Sequence, residues 1–266
     1  MNRFLVLFLL SVLISCKDKS NTAVNLKESQ EASSELEQAT FPSALDSVLL
    51  AHGGIESWKN QHTLQFVLKK GELTERHTID LKSRKDKIEF NDYSMGFDGE
   101  EVWLLDPKNA YTGDAVFYHN LMFYFYAMPF VLADPGIVYE ETVPLIFEDK
   151  SYPGIQIGYE TGVGTSPKDQ YFVHYDPVTY EMKWLGYTVT YRTGEKSDNI
   201  KWIRYNDWRT IDGILLPSSL SWYAYEGRII KEKKSTRIFE NAELSTKSKT
   251  KGFYDKPSDA AIVKKS

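Results

Sequence analysis

The side chains that most often carry enzymatic chemistry are scattered along this sequence. Its five histidines, which lack the close spacing common in metal sites, are His52, His62, His77, His119 and His174. The adjacent pairs Glu100–Glu101 and Glu140–Glu141 would point to opposite faces of a strand, so neither makes an acid–base couple. No serine-nucleophile elbow, phosphate-binding Walker loop or His-Glu-x-x-His motif is present. The sequence therefore predicts a protein that is not an enzyme and has no metal or cofactor.

The only cysteine, Cys16, has neighbours that suit covalent modification. Arg3 supplies a basic start, Phe4 to Leu13 form an apolar run, and Ser15 places a small residue before the cysteine. The apolar run is too short to cross a bilayer, which needs about 20 residues. This arrangement resembles a bacterial lipoprotein signal, in which cleavage before the cysteine is followed by acylation of its thiol and its amine. The resemblance implies a signal peptide over residues 1–15, lipidation of Cys16 and a membrane anchor. The alternative is an ordinary secretory signal with an incidental cysteine.

Residues 16–42 hold the acylated cysteine and a segment rich in Lys, Glu, Ser, Gln and Asn, a composition typical of a flexible tether. Lys17 follows the cysteine, and lipoproteins without an aspartate at that position usually travel to the outer membrane. The predicted location is therefore the cell envelope, lipid-anchored in the outer membrane on its periplasmic or its surface face. The expected partner is the membrane, reached through the lipid anchor.

The composition limits the other partners and the source of stability. The 266 residues carry a net charge of −5 at pH 7, and nucleic acid is excluded as a partner because phosphate binding needs clustered Lys and Arg. With Cys16 acylated no thiol remains, so disulfides and thiolate metal sites are excluded too. Residues 43–243 are long enough for one domain with one packed core. Residues 244–266 are expected to be a polar C-terminal tail, and the oligomeric state stays open.

After residue 61 apolar and polar residues alternate, which is the period of a half-buried strand. Leu64, Phe66 and Leu68, for example, share one face. Roughly ten such strands are separated by turn sequences of the Asp-Gly and Asp-Pro kind at hairpin spacing. Consecutive hairpins make one large antiparallel sheet, either curled into a barrel or covered by helices. The stretch 228–237 is dominated by charge and is predicted to lie at a sheet edge.

Two segments show helical rather than strand spacing. Ser43 can cap a first helix that ends at Gly53–Gly54, and His52 is predicted to cap its C-terminus. Residues 117–132 contain an aromatic helix of about 12 residues that ends at Pro129. It is apolar nearly all round, so it should be buried on most sides. This helix either plugs the concave side of the sheet as part of the core, or covers a cavity that side chains do not fill. Aromatic and methionine side chains would suit an acyl chain in such a cavity.

Three motifs extend the comparison to a family. The segments Phe97–Pro107, Tyr175–Met182 and Trp208–Pro217 resemble the Asp-Gly strand, the Asp-Pro turn and the C-terminal strand entry of the outer-membrane lipoprotein-sorting, LolA/LolB-like superfamily. The resemblance covers residues from about 43 to 243 and implies a mainly β fold, an unclosed antiparallel barrel with helices covering the concave side. It also implies binding of acyl chains or a similar lipid. Because the soluble carriers of the family lack an acylated cysteine, this chain is more similar to a membrane-fixed receiver, or to an uncharacterised lipoprotein relative of the family, than to a shuttle.

The favoured hypothesis is an envelope lipoprotein that binds a hydrophobic ligand, such as an acyl chain, a lipid or a lipoprotein, between the sheet and the aromatic helix. The alternative is a non-enzymatic scaffold or protein-interaction domain with a solid core, and an envelope hydrolase would need a nucleophile and base that the sequence does not offer. A void of about 300 Å³ or more decides between the first two. The candidate ligand contacts are Phe117, Leu121, Tyr124, Phe125 and Met128 from the helix and Phe66, Trp103 and Trp222 from the sheet.

Overall fold

The computed structural model describes residues 41–70, 73–160 and 168–265, so the expected signal peptide, Cys16 and most of the tether lie outside the described residues. The described chain is mainly β. Its strands are β1 (Thr63–Lys70), β2 (Leu73–Asp80), β3 (Asp86–Glu89), β4 (Ser94–Phe97), β5 (Val102–Leu105), β6 (Ile137–Phe147), β7 (Lys150–Tyr159), β8 (Tyr171–Tyr175), β9 (Met182–Tyr187), β10 (Lys201–Ile211), β11 (Ile214–Glu226), β12 (Ile229–Ser245) and β13 (Ala261–Val263). Its helices are α1 (Ser43–Ala51), α2 (Ile55–Lys59), α3 (Ala115–Tyr118), α4 (Leu121–Tyr126) and a 3-10 helix (Phe130–Ala133).

All thirteen strands form one antiparallel sheet that does not close into a barrel, in the order β13-β5-β4-β3-β2-β1-β12-β11-β10-β9-β8-β7-β6. Strands β1 to β5 and strands β6 to β12 are two runs of consecutive hairpins. The pairing of β12 with β1 joins the two runs, with Thr63 opposite Ser245 and Lys69 opposite Ile238. The predicted fold class, an unclosed antiparallel sheet with helices, is therefore confirmed.

The helices pack on one face of this sheet and form the main core with it. Leu45, Val48 and Leu49 of α1 are buried, and Trp58 of α2 stacks on Phe130 of the 3-10 helix with ring centroids 4.7 Å apart. His52 caps α1 as predicted, because its Nδ1 lies 2.8 Å from the carbonyl oxygen of Val48. No helix in the described part of the chain is long and apolar enough to cross a membrane.

A second aromatic cluster covers the opposite face of the sheet. Trp184 of β9 and Trp202 of β10 are fully buried there, together with Leu145 and Tyr152 from the β6–β7 hairpin. Neighbouring residues on β9 and β10 therefore bury side chains on both faces, which the alternation of a strand allows. Both faces are covered at this place, in contrast to an antiparallel sheet with one wet face.

Two local predictions differ from the structure. The aromatic helix predicted within 117–132 is divided into α3 and α4, and a separate 3-10 helix follows it. Helix α4 ends before Pro129, which has no backbone N–H with which to continue a helix. The charged stretch 228–237 belongs to a strand in the middle of the sheet order, so the predicted sheet edge is wrong for β12 as a whole. Residues 229–237 of β12 nevertheless have one side without a partner strand. Strand β11 pairs with residues 229–238, whereas β1 pairs only within residues 238–245. The charged side chains therefore lie where this part of the strand has a local edge.

A cavity between the helices and the sheet

A cavity of about 560 Å³ lies between the helices and the sheet and is partly open to solvent. Most of its wall is apolar. The apolar side chains that the helices contribute include Ile55, Trp58, Val116, Leu121, Phe125 and Val131. The volume exceeds the roughly 300 Å³ at which ligand sites begin. The side chains of the helices and the sheet therefore leave part of the space between them unfilled.

The cavity exists because the sheet curls around the helices. Its lining includes Leu81 and Arg84, which follow β2, and also Tyr159 of β7 and Tyr171 of β8. Strands β2 and β8 are six positions apart in the sheet order, which would separate them by roughly 29 Å in a flat sheet with about 4.8 Å between strands. Both can line one cavity of this size only when the sheet is strongly curved, and the helix-covered face is its concave side.

The α3–α4 segment is fixed over the cavity by two acidic side chains of the sheet. The Tyr118 hydroxyl donates to Glu75 Oε2 at 2.6 Å, and His119 Nδ1 lies 2.6 Å from Asp86 Oδ2. Burial raises the pKa of Asp86, although the hydrogen bond from His119 opposes this shift. Consecutive residues of the segment are thus held by two neighbouring strands, β2 and β3. Asp114 adds a cap to α3 by accepting the backbone N–H of Phe117 at 3.0 Å.

An ion pair joins the β2–β3 turn to the turn after the 3-10 helix at the cavity wall. Arg84 Nη2 lies 2.6 Å from Asp134 Oδ1 and 2.7 Å from Oδ2, and the guanidinium lies over the ring of Phe123 at 5.2 Å. Burial raises the pKa of Asp134 and the Arg84 charge works against this shift. The arginine therefore neutralises a carboxylate that is partly removed from water.

The sheet side of the cavity carries a group of polar side chains. Tyr159 and Tyr171 pack edge to face with ring centroids 5.9 Å apart, and Tyr124 of α4 and Asp169 complete the group. Burial is the main cause that raises the pKa of all three tyrosines and of Asp169. The phenols consequently stay protonated and uncharged at physiological pH.

Four of the eight predicted ligand contacts line this cavity. Phe117, Leu121, Tyr124 and Phe125 are on its wall, all from the α3–α4 segment. Phe117 also packs against Tyr191, with ring centroids 5.0 Å apart. The structure thus brings together the helical part of the predicted set except for Met128, and contact with a ligand stays a prediction for these residues.

The other four predicted contacts lie elsewhere. Met128 is buried in the main core, and Phe66 is buried between His77, Tyr126 and Phe239. Trp103 is fully buried beneath the C-terminal segment, where its indole N–H donates to the carbonyl of Tyr254 at 3.2 Å. Trp222 lines a smaller cavity of about 310 Å³, whose wall also holds Glu75, Tyr118 and Arg237. The sequence does not show which sheet face is concave, so it does not identify the strand residues that face the cavity.

The sequence-based prediction does not include several residues of the cavity wall, namely Trp58, Arg84, Phe130, Asp134, Tyr159, Asp169 and Tyr171. The burial of Trp58 and Phe130 could be predicted from the sequence, since a large aromatic side chain in a short helix normally packs against the core. Asp134 stands in an Asp-Pro-Gly turn, whose sequence indicates only a turn. The sequence gives no signal for Arg84, because its partner is 50 residues away.

The curled sheet and the helices that cover it define a half-barrel protein with an internal cavity. Residues 59–234 match the model of a family of unknown function, DUF6503, and the chain belongs to this family. No curated protein matches the chain in sequence.

Solved structures with a similar fold come from several bacteria. One is a LolA superfamily protein from Nitrosomonas europaea, with 8% identity, 75% of this chain and 93% of that chain covered, and a TM-score of 0.44. A DUF1329 family protein from Desulfovibrio piger has 11% identity, 76% and 92% coverage and a TM-score of 0.47. A putative outer membrane lipoprotein-sorting protein domain from Vibrio parahaemolyticus has 10% identity, 77% and 97% coverage and a TM-score of 0.42. These likenesses concern the fold alone.

Proposed function

We propose that this chain is a lipid-anchored envelope protein that binds a hydrophobic ligand, an acyl chain, a lipid or the acylated end of a lipoprotein, in the cavity between α4 and the curled sheet. The observation that supports the proposal is the cavity of about 560 Å³ with a mainly apolar wall. A ligand site needs roughly 300 Å³ or more. The cavity argues against the alternative of a scaffold whose concave side is packed solid.

The proposed activity is binding without chemistry. Transfer of a hydrocarbon chain from water into the cavity contributes about 0.8 kcal/mol for each methylene buried. Phe125, Leu121 and Val131 offer the apolar contact area that such a chain needs. Affinity should therefore rise with chain length until the cavity is filled.

The proposed anchor would keep the cavity at the membrane. Acylation of Cys16 after removal of residues 1–15 would fix the chain to the outer membrane, and residues 17–42 would separate the domain from the lipid surface as a tether. A protein held in this way would receive or hold its ligand at one membrane.

The test uses the chain with Cys16→Ser, which removes the proposed lipidation and leaves the cavity unchanged. Purified protein is extracted with organic solvent for mass spectrometry, and binding of fatty acids of 8 to 14 carbons is measured by displacement of a fluorescent fatty acid. We expect co-purified lipid and an affinity that rises about three- to fourfold per methylene before it levels off.

A matched pair of variants assigns the binding to the cavity. Leu121→Trp adds volume inside the cavity and should lower the affinity for the longest chain about tenfold. Leu50→Trp makes the same change at a leucine of α1 that is 73% exposed and should leave the affinity within about twofold. Equal losses in both variants, or no bound lipid and no displacement in the parent, would refute the proposal.

A further inference from the structure

The charged side chains of the cavity wall are mostly positive. Lys82 and Arg84 lie in the β2–β3 turn and Lys59 ends α2, whereas the described wall holds two carboxylates, Asp134 and Asp169. The chain as a whole carries a net charge of −5, so this wall has the opposite sign to the rest of the protein. A local excess of positive charge lined by apolar groups attracts anions.

Arg84 uses only part of its guanidinium for its carboxylate partner. Its Nη2 contacts both oxygens of Asp134, at 2.6 and 2.7 Å, whereas Nη1 is buried and has no hydrogen-bond partner among the described residues. A buried donor of a charged group that stays unpaired is costly. The Arg84 side chain keeps 28% of its surface exposed, so the guanidinium is available to a ligand in the cavity. An anionic oxygen beside it would form a charge-assisted hydrogen bond.

Lys82 carries a charge that no carboxylate neutralises. Its ammonium group donates to the backbone carbonyl of Lys59 and forms no ion pair with any described residue. An ammonium group has three donors, so two remain for a ligand. Lys59 itself lies 3.5 Å from Glu56 in a pair whose side chains are 54% and 81% exposed, which is a weak interaction in water. The turn therefore offers one cation without a counter-charge beside a guanidinium with a free donor.

The acidic and phenolic groups of the wall do not oppose an anion at this turn. Asp169 accepts hydrogen bonds from both the backbone N–H and the side chain of Thr190, so it needs no donor from a ligand. The positive charge of Arg84 lowers the pKa of Tyr124 while burial raises it. The Tyr124 phenol consequently lies within electrostatic reach of the guanidinium and stays protonated, as a donor for an anionic oxygen.

We infer that the cavity takes a single-chain lipid with one negative charge, a free fatty acid, whose carboxylate binds Lys82 and Arg84 while its chain lies against Leu121 and Phe125. This inference rests on the proposed function and adds the class of its ligand. A head with two negative charges fits less well, because Asp134 stands beside Arg84 and would repel the second charge.

The test compares four probes with the same chain of twelve carbons, at about pH 8 and low salt, with the Cys16→Ser chain. Laurate carries one negative charge, dodecyl phosphate nearly two, dodecylamine a positive charge and methyl laurate none. We expect laurate to bind at least about tenfold more tightly than methyl laurate and dodecylamine, and dodecyl phosphate to bind no more tightly than laurate. Added salt should weaken laurate binding several-fold and should not weaken methyl laurate binding.

Three variants assign the difference to the charges of the turn. Lys82→Met should weaken laurate binding about fivefold and change methyl laurate binding by less than about twofold. Asp134→Asn removes a negative charge beside Arg84 and should tighten laurate binding about threefold. Lys85→Met makes the same change as Lys82→Met in the same turn but outside the cavity wall, and it should change neither affinity by more than about twofold. Retained methyl laurate binding shows that each variant is folded.

The outcomes separate this inference from the proposed function. Methyl laurate that binds as tightly as laurate, tightest binding of dodecylamine or dodecyl phosphate, or a Lys82→Met loss no larger than that of Lys85→Met would overturn the carboxylate inference while hydrophobic binding stands. Weaker laurate binding in Asp134→Asn would overturn it as well. Failure of every probe, methyl laurate included, to bind the parent chain would overturn both.

Discussion

His174 and Arg228 form a hydrogen bond in which the imidazole is the acceptor. His174 Nε2 lies 3.1 Å from Arg228 Nη2, and His174 Nδ1 lies 3.0 Å from the carbonyl oxygen of Tyr152. A guanidinium always donates and a carbonyl always accepts, so the ring must carry one proton, on Nδ1. His52 has the same arrangement on the opposite face, with Nδ1 toward Val48 and Nε2 accepting the backbone N–H of Met182 at 3.4 Å.

This geometry predicts that the fold loses stability in mild acid. Burial lowers the pKa of His52 and of His174 from 6.5 to about 4, so between pH 6.5 and 4 the unfolded chain binds protons that the folded chain does not. Stability is complete above pH 6.5 and decreases as the pH falls, by about 3 kcal/mol for each histidine. Asp86, Asp134 and Asp169, whose pKa burial raises, act in the opposite direction at the lower end of this range. Urea unfolding between pH 7 and 4.5 measures the slope.

Two variants attribute this pH dependence to the histidines. His174→Gln and His52→Gln keep a neutral side chain that can accept a hydrogen bond, and each should remove about half of the slope. A slope that neither variant reduces would show that other groups control the acid response.

Gly154 in β7 is required by the His174 ring on the neighbouring strand. A Cβ at this position would overlap the imidazole of His174 and approach the Thr142 methyl at 2.9 Å. Gly154→Ala should therefore reduce the free energy of unfolding by about 2 kcal/mol, measured by urea denaturation. Gly158→Ala is the matched control in the same strand, since a Cβ there meets nothing within 4 Å, and it should be neutral or slightly stabilising. Equal effects would mean that the Gly154 contact carries no strain.

The contact between Asp86 and His119 should hold the α3–α4 segment in place over the cavity. Breaking it should therefore lower the stability of the fold considerably. His119 and Asp86 are 7% and 2% exposed, so Asp86→Ala leaves a buried imidazole without its partner and should lower the free energy of unfolding by about 3 kcal/mol. Asp92→Ala breaks the exposed Lys108–Asp92 pair of the same 2.6 Å length and should cost less than about 1 kcal/mol. Hydrogen exchange at α3 and α4 should rise in Asp86→Ala alone, and unchanged protection there would contradict the anchoring role.

The strands could be predicted where one face is buried and the other is polar. Leu64, Phe66 and Leu68 show this alternation, and β1 is found there. Strand β6 lies at the edge of the sheet and is exposed along most of its length. Because neither of its faces is buried throughout, its sequence does not alternate between apolar and polar residues. The two-sided burial of Trp184 and Leu185 in β9 likewise gives an apolar run without a period.

The cavity could be predicted only on its helical side. Phe117 and Leu121 are identifiable because an apolar helix must be buried, whereas Tyr159 and Tyr171 look like ordinary strand aromatics in the sequence. Whether an apolar side chain faces a neighbour or a void depends on how strongly the sheet curls. That curvature is a property of the whole sheet, which no local pattern encodes.

The C-terminal segment, expected from its composition to be a polar tail, instead covers Trp103. Strand β13 pairs with β5 and places Ile262 opposite Trp103, and the Tyr254 carbonyl accepts the indole N–H of Trp103. Tyr254 itself is 6% exposed, so Tyr254→Ala should lower the free energy of unfolding by about 3 kcal/mol through the cavity that it leaves.

The same variant should expose Trp103 to solvent. Iodide quenching of tryptophan fluorescence should increase, and this increase should disappear in a Trp103→Phe background. Tyr180→Ala, at a tyrosine that is 37% exposed, should change stability by less than about 0.5 kcal/mol. Unaltered quenching in Tyr254→Ala would show that the segment does not shield Trp103.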